Sequence, residues 1–477
     1  MSSQASVEAL VEHDQSGRLD PKVWKIIGVV LLGPLMAQMD STIVNVSLSS
    51  IRESLHATIA SAQWIISGYL LALALMLPLN GWLVDRLGAK RLYLVCFSLF
   101  TLTSVLCGAA HTMEQLICAR LLQGIAGGLL APLTQMMIAR VAGRHMARVI
   151  GYAATPVLLA PTLGPIVAGA ILKYASWPWL FYVNLPVGVL ALILAVFVLP
   201  RDATSDERRP FDVLGFIFIS PGLACFLYGI EQTAHHEGNL FLFIGLTLLG
   251  AFIWHAWRKK TKALIDLELF KNRIFTAAAI TQFLSNGVMY AGQFLVPLFL
   301  TLGCGMSAEK AGWILAPMGI GMMCVYPTMG FLTDKFGCRT VAVGGALLNI
   351  LGTAPFLLMI RGEISNPWII ISLLARGIGQ GATGIPTIAA AYASVPKAKL
   401  GFATTSINIV QRLGGPLATM ALALVVSAST SASTAAPAVS SSEGFLFPFI
   451  ALIFIQALGL ASACRLPLRI HQPNDQS

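Results

Sequence analysis

A single carboxylate, Asp40, stands inside the first long apolar run of the sequence, followed closely by Ser41, Thr42 and Asn45. A charged side chain in hydrocarbon costs about 2.5–3.5 kcal/mol on insertion scales, so such residues usually serve a function. A carboxylate can bind and release a proton, and small hydroxylated neighbours line wet cavities or let helices approach closely. The sequence therefore favours a proton-handling group at Asp40. A carboxylate that only fixes its helix to a neighbouring helix is the alternative.

Arg120 is a cation at a similar depth in another apolar run. Asp40 lies about sixteen residues, or roughly 24 Å, into the first predicted helix, and Arg120 about six residues, or roughly 9 Å, into the fourth from the opposite side. In a hydrocarbon core of about 30 Å these depths differ by only a few ångström. We therefore predict that the two charges face each other, directly or through Asn45, Gln123 or water. Because a nearby cation favours the carboxylate and burial favours the neutral acid, changed access to water would load or release a proton.

Membrane-spanning helices must position these charges. The 477 residues are 56% hydrophobic and 11% charged, with a mean hydropathy of +0.77, whereas soluble domains carry about 25% charged residues. Apolar runs of about 20 residues, the length that spans a bilayer, recur along the chain. They predict an all-α polytopic membrane protein with fourteen helices, at residues 23–46, 61–83, 92–110, 114–139, 147–172, 180–199, 213–232, 240–257, 275–302, 310–332, 341–360, 367–393, 400–427 and 445–464.

Lysine and arginine residues are concentrated in alternate loops, for example at Arg140, Arg144 and Arg148, and again at Lys397 and Lys399. Basic loops of this kind lie on the cytoplasmic side of a membrane. We therefore predict an inner (plasma) membrane protein with both termini in the cytoplasm. The net charge of +10 is explained by this topology, so nucleic acid is not expected as a partner.

Reactive residues do not occur at spacings typical of enzymes. The eight cysteines stand singly, without a Cys-X-X-Cys pair or matching histidines, so we predict neither a metal site nor a redox site. No Ser/His/Asp set and no phosphate-binding loop is present, which excludes ATP as the energy source. We expect no cofactor and no enzymatic activity. Of the three classes of function that we compare, a membrane enzyme or receptor is therefore the least supported. The other two are kinds of transporter.

An internal repeat divides the chain. The segment Gly81-Trp-Leu-Val-Asp-Arg-Leu-Gly88 returns as Gly330-Phe-Leu-Thr-Asp-Lys-Phe-Gly337, and a weaker echo relates the region of Arg120 to that of Arg376. Parallel repeats about an axis along the membrane normal are the architecture of one large transporter class, with a binding site between the halves. The predicted domains are a tail at 1–22, a six-helix bundle at 23–200, two inserted helices at 201–273, a second six-helix bundle at 274–466 and a tail at 467–477.

Four stretches, in this order, resemble the major facilitator superfamily in its fourteen-helix drug:proton antiporter branch. They are residues 39–48 in the first helix, 81–91 in a loop, 120–132 in the fourth helix and 163–169 in the fifth. The segments 177–188 and 211–215 are also typical of this branch. The resemblance covers nearly the whole chain and implies the major-facilitator fold.

The resemblance implies proton-coupled efflux of amphipathic drugs or other small molecules by alternating access. The expected partners are a small-molecule substrate, protons and membrane lipid. We expect a monomer, and a periplasmic adaptor protein is allowed but not required. The alternative function is proton-coupled or facilitated transport of one specific metabolite.

The same resemblance assigns roles to individual residues. Asp40 and Arg120 would couple transport to protons. The remaining assignments are a gating loop of Gly81, Asp85, Arg86, Gly88, Lys90 and Arg91, its second-half copy of Gly330, Asp334, Lys335, Gly337 and Arg339, an antiporter motif of Gly164, Pro165 and Gly169, and cavity candidates Asn45, Gln123, Arg376, Gln380 and Arg412.

Each of these roles has a structural alternative. The loops would otherwise serve only as topology signals. Gly164 and Pro165 would otherwise produce only a packing kink, because proline removes a backbone hydrogen bond and glycine leaves space. Arg376 and Arg412 would either meet an anionic part of a substrate or pair within the protein.

Overall fold

The computed structural model describes residues 21–142, 146–200, 210–231, 236–259, 263–360, 366–434 and 442–468. Within these ranges, long helices follow one another through short connections. They are α1 (Pro21–Ser54), α2 (Ile59–Met76 and Asn80–Leu87), α3 (Ala89–Gly108), α4 (Met113–Ala142), α5 (Met146–Tyr174), α6 (Trp179–Tyr182 and Asn184–Val198), α7 (Val213–Glu231), α8 (His236–Lys259), α9 (Arg273–Leu298), α10 (Ala308–Phe336), α11 (Cys338–Met359), α12 (Asn366–Ala393), α13 (Leu400–Thr434) and α14 (Leu446–Ala463).

Helix boundaries follow local chemistry. Helix α1 runs to Ser54, beyond the predicted end at residue 46, because no glycine or proline interrupts residues 47–54. Helix α2 passes through a single 3-10 turn at Leu77–Leu79, which contains Pro78. Helix α9 begins at the cap residue Asn272, whose side chain accepts the Ile274 backbone N–H at 2.9 Å. It ends in a π-helical turn at Phe299–Gly303.

Thirteen helical stretches among the described residues are long and apolar enough to cross a membrane. The apolar Leu163–Tyr174 part of α5 is shorter. The predicted count of fourteen spans is consistent with this structure and stays a prediction. Residues 1–20 of the predicted tail at 1–22, the loop residues 201–209 and residues 469–477 of the predicted tail at 467–477 lie outside the described residues.

The helices form two compact units. Unit 1 contains the described residues within Met1–Gly143, Ala153–Glu268 and Lys397–Ser406, and unit 2 contains those within Arg144–Tyr152, Leu269–Pro396 and Ile407–Ser477. Helices α7 and α8, predicted as a separate inserted segment, belong to unit 1. The core of unit 2 includes a stack of aromatic rings, with Phe356 and Phe449 parallel at 5.1 Å between centroids. Each unit thus encloses an apolar core of its own.

Asp212 ties α7 and α8 together at one end of unit 1. The carboxylate is buried and accepts from His255 Nε2 at 2.9 Å, Lys259 Nζ at 2.8 Å, and the backbone N–H groups of Gly215 and Leu264 at 3.1 Å. A Cβ at position 215 would overlap this carboxylate, which explains the glycine there. Burial acts to raise the pKa of Asp212, but these hydrogen bonds hold it below the usual value for aspartic acid.

We expect Asp212→Asn to destabilise the protein at neutral pH by about 1–3 kcal/mol, because the charged hydrogen bonds are lost. A carboxyl group whose pKa is lowered by folding stabilises the fold above its unfolded pKa of about 4, and this contribution disappears as the pH falls through its folded pKa. The difference in Tm between wild type and variant should therefore shrink from pH 7 to pH 3. Glu53→Gln removes an exposed carboxylate and is the control. A difference in Tm that stays constant with pH would contradict the role of the ionised Asp212.

Candidate functional site

Asp40 on α1 and Arg120 on α4 form a buried ion pair within unit 1. Nη1 of Arg120 lies 2.5 Å from Oδ2 of Asp40, and the two side chains are 1% and 0% exposed. The contact that the two depths predicted is therefore direct. Buried ions of this kind are stable only when each also finds further hydrogen-bond partners.

The other oxygen of Asp40 receives two amide donors. Gln123 Nε2 donates to Oδ1 at 3.1 Å, and Asn184 Nδ2 donates to the same atom at 2.9 Å. Gln123 also accepts from Arg120 Nη1 at 2.8 Å, and Asn184 also donates to Ser104 Oγ at 2.9 Å. These side chains join α1, α3, α4 and α6, and the donors that hold Asp40 come from two of these helices, α4 and α6.

Arg120 is fixed by α2 as well. Its Nε donates to the Ile65 carbonyl at 3.3 Å, and the guanidinium carbon lies 4.3 Å from the centroid of the Tyr69 ring. The aromatic face attracts a cation, and the attraction is stronger where water is excluded. An apolar cluster that includes Ile43, Ile65 and Phe181 packs beside the pair.

The donors around Asp40 bear on the charge of its carboxyl group. Three donors point at the carboxylate, which suits its ionised form. A proton on Asp40 would cancel the negative charge that pairs with Arg120. It would then leave the charge of Arg120 uncompensated in a dry environment, which is unfavourable. The closed contact therefore favours the ion pair, and the proton-coupling role of Asp40 and Arg120 stays a prediction.

Asn184 is the member of this network that the sequence analysis missed. The residue lies in the segment 177–188, which was noted only as typical of the branch. It stands at the start of the second part of α6, directly after the break at Val183. A polar residue at the start of an apolar helix, two residues before Pro186, marks this position in the sequence but does not reveal its contact with Asp40.

The repeated loops place glycine and a basic residue in the same way in each unit. Gly88 and Gly337 have positive φ angles of 83° and 87°, a conformation that favours glycine. Two residues later in unit 1, Lys90 Nζ donates to the carbonyls of Val196 and Leu199, both at 2.7 Å. In unit 2, Arg339 Nε donates to the Leu466 carbonyl at 2.6 Å.

Lys90 and Arg339 thus bind carbonyls at the C-terminal end of the last helix of their halves, α6 and α14. Carbonyl groups at that end lack helical partners, and cations are favoured there. Among the remaining loop residues, Arg86 lies over the Trp82 ring at 5.3 Å, and Lys335 lies over Phe331 at 5.8 Å. The gating role of Asp85, Arg91 and Asp334 stays a prediction.

Comparison with known proteins identifies the family. The model of the Major Facilitator Superfamily matches residues 30–419. The chain belongs to the Major Facilitator Superfamily. It is therefore a multi-pass membrane transporter for small molecules and not an enzyme.

Two relatives of this facilitator carry names that refer to drug resistance. The chain is 32% identical over 417 residues to a "Multidrug resistance protein B homolog" of Mycobacterium tuberculosis, covering 86% of this chain and 77% of that protein. It is 34% identical over 338 residues to a "Putative multidrug resistance protein MdtD" of Pectobacterium atrosepticum, covering 69% of this chain and 72% of that protein.

Solved structures of facilitators share the fold. A double tryptophan mutant of XylE matches with a TM-score of 0.61 at 15% identity, over 91% of this chain and 94% of that one. The human transporter MFSD10 matches with a TM-score of 0.59 at 17% identity, over 91% of this chain and 100% of that one. At these identities the likeness concerns the fold alone.

Gly164 of the antiporter motif packs against α1 beside the ion pair of this facilitator. A Cβ at position 164 would overlap Thr42 Oγ1 and lie 2.8 Å from Thr42 Cβ, two residues from Asp40. Gly169, one and a half turns further along α5, has no atom within 4 Å of the corresponding position. Pro165 is exposed, and α5 stays helical through it. Gly164 is thus the member of the motif that close packing requires.

We expect Gly164→Ala to destabilise the protein by about 1–3 kcal/mol, because the added methyl group forces α5 away from α1. Transport should fall at least tenfold, since the displacement occurs beside Asp40. Gly169→Ala is the matched control, and alanine should stabilise a helix at an open position by about 0.5–1 kcal/mol. Thermal unfolding and transport assays on both variants test this. Equal behaviour of the two variants would contradict a packing role for Gly164.

The cavity candidates occupy different environments. Asn45 is exposed, and within the described part of the chain Asp40 is bound by Arg120, Gln123 and Asn184 instead. Gln123 and Gln380 are buried. Each forms hydrogen bonds within its own unit, and Gln380 bonds to Ser285 at 3.0 Å. Arg412 is half-buried, and its role stays a prediction.

Proposed function

We propose that this facilitator is a proton-coupled antiporter that exports amphipathic small molecules from the cell across the inner membrane, with both termini in the cytoplasm. The observation that carries the proposal is the buried pair of Asp40 and Arg120, surrounded by amides. A titratable group in a dry, movable helix contact can exchange a proton only when the contact opens. Such a group provides the link between proton binding and conformation that antiport requires.

The exchange follows from the charges of the pair. With Asp40 ionised and Arg120 bound, the network carries no net charge, and the closed packing is favourable. When α1 and α4 separate and water enters, Asp40 takes a proton and Arg120 becomes solvated or meets another partner. Loss of the proton allows the pair to close again. A substrate that needs the open arrangement would compete with the proton, and the competition gives exchange.

The names of the relatives support drugs as the substrate class. The two relatives described above are named for multidrug resistance, and this chain is 32% and 34% identical to them over the aligned residues. Cavities that accept many amphipathic compounds are lined by apolar and aromatic groups with few polar ones. The chain is 9% aromatic and 56% hydrophobic, so it can supply such a surface. A monomer that needs no adaptor protein completes the proposal.

Transport by the purified protein in sealed liposomes tests the function. The vesicles contain a fluorescent amphipathic dye, and an acid exterior or interior imposes the proton gradient. We expect the dye to accumulate on the acid side, in exchange for protons, and a protonophore to abolish the accumulation. Dye movement toward the alkaline side would indicate symport and overturn the proposal. Failure of a panel of dyes together with gradient-driven uptake of one metabolite would establish the alternative function.

A further inference from the structure

Arg376 on α12 is a fully buried cation in unit 2. Its side chain is 0% exposed, and Nε, Nη1 and Nη2 have no hydrogen-bond partner among the described residues. A buried charge is unfavourable by several kcal/mol unless it is paired and hydrogen-bonded. The guanidinium group offers five N–H donors in a fixed plane. The local chemistry therefore calls for an acceptor that carries negative charge.

Unit 1 contains the matching cation with its partner in place. Arg120 and Arg376 each lie on the fourth helix of their half, and each precedes a buried glutamine, Gln123 or Gln380, by one turn. In unit 1 the first helix of the half supplies Asp40 to Arg120. In unit 2 the first helix, α9, presents Gly292 instead, and a Cβ there would overlap Nη2 and lie 3.0 Å from Cζ of Arg376. A glycine thus stands where the guanidinium group would otherwise meet a side chain.

The surroundings of Arg376 supply further donors and no anion. One turn earlier on α12, the buried hydroxyl of Ser372 also has no partner among the described residues. Gly352 on α11 packs against the backbone of both residues. The next residue, Thr353, accepts from Gln456 Nε2 of α14 at 2.8 Å, and the Oε1 of this glutamine has no described partner. An amide oxygen could accept a hydrogen bond, but it cannot neutralise the charge.

We propose that Arg376 is the centre of a binding site for one small, singly charged anion in unit 2, a halide or a carboxylate group. A guanidinium group binds a carboxylate through two parallel hydrogen bonds. Gly292 has no side chain, so α9 contacts the guanidinium group of Arg376 over a small area. The anion supplies the negative charge that Asp40 supplies in unit 1. It comes either from the free ions of the solution or from the anionic group of a transported molecule. Binding at Arg376 does not depend on Asp40 and stands apart from proton coupling.

Thermal unfolding of the purified protein in detergent tests this site. The starting buffer contains HEPES as its only anion, and chloride or benzoate replaces HEPES at constant ionic strength. We expect the Tm of the wild type to rise by several degrees and to saturate, because a ligand of the native state stabilises it. Protection by chloride identifies a free ion as the source. Protection by benzoate alone identifies the anionic group of an organic molecule.

Variants assign the effect to Arg376. Arg376→Gln should show no rise with either anion, and in HEPES it should be at least as stable as the wild type, because an unpaired charge has been removed. Arg376→Lys keeps the charge and should respond with at least tenfold weaker affinity, since the planar donors are lost. Arg52→Gln removes a partly exposed arginine of α1 and should respond as the wild type does.

Three results would overturn the site. The first is a wild-type Tm that neither chloride nor benzoate changes. The second is an equal response of the wild type and Arg376→Gln, which would place the anion elsewhere. The third is an Arg376→Gln variant that is less stable than the wild type in HEPES alone, since that would show a guanidinium group already paired within the protein. Transport by Asp40 variants has no part in these outcomes, so the site and the proposed antiport fail separately.

Discussion

Asp40→Asn should abolish the uphill, proton-driven accumulation of substrate while leaving downhill exchange measurable. Asparagine keeps the shape of aspartate and can still accept from Gln123 and Asn184, whose donors meet the same oxygen in the wild type. It cannot take up or release a proton. The coupling of the two fluxes is therefore lost, although the helices can still move. We expect the gradient-driven accumulation to fall at least a hundredfold.

Two assays on the same vesicles separate coupling from movement. The first measures dye accumulation against its gradient with an imposed pH difference, and the second measures equilibrium exchange of dye without one. Glu53→Gln is the matched control, because it removes an exposed carboxylate further along the same helix. It should retain both activities. If Asp40→Asn still accumulates dye when driven by the pH difference, Asp40 is not the coupling residue and the pair serves only to join helices.

The sequence predicts the contact of Asp40 with Arg120 because both residues are rare charges at computable depths in long helices. Depth along a helix follows from residue count alone. Whether a residue reaches the pair also depends on the direction in which its side chain points around the helix. The residue count predicts that direction less well than it predicts depth. Asn45, five residues after Asp40, lies on an exposed face, whereas Gln123, three residues after Arg120, faces the pair.

The rest of the site depends on contacts between helices that are distant in sequence. Asn184 reaches Asp40 across 144 residues, and its role follows from how α6 packs, which no local pattern encodes. That Arg376 finds no hydrogen-bond partner among the described residues is equally hidden in the sequence, because a glycine of α9 lies against the guanidinium group. The helices themselves were predictable from their apolar runs. Their ends differed where no proline or glycine marked them, as at Ser54.

Removing both members of the Asp40 and Arg120 pair should cost less stability than the sum of the two single removals. Arg120→Gln leaves a buried carboxylate without its cation, and Asp40→Asn leaves a buried cation without its carboxylate. Breaking a buried pair from one side costs about 3–5 kcal/mol, because the remaining charge is uncompensated. The double variant places two neutral amides in the same space, where they can bond to each other. We expect it to recover at least about 2 kcal/mol relative to the sum of the single changes.

Denaturation of the wild type, the two single variants and the double variant in detergent measures this coupling energy. The transport assay on the same samples separates the pairing of charges from proton coupling. A double variant that regains stability should still fail to accumulate dye, because it contains no group at position 40 that can carry a proton. Stability would then report the pairing of charges, and accumulation would report the titration of Asp40. Additive losses of stability would show that the two charges do not interact in the native protein. Uphill transport by the double variant would move the proton pathway away from this pair.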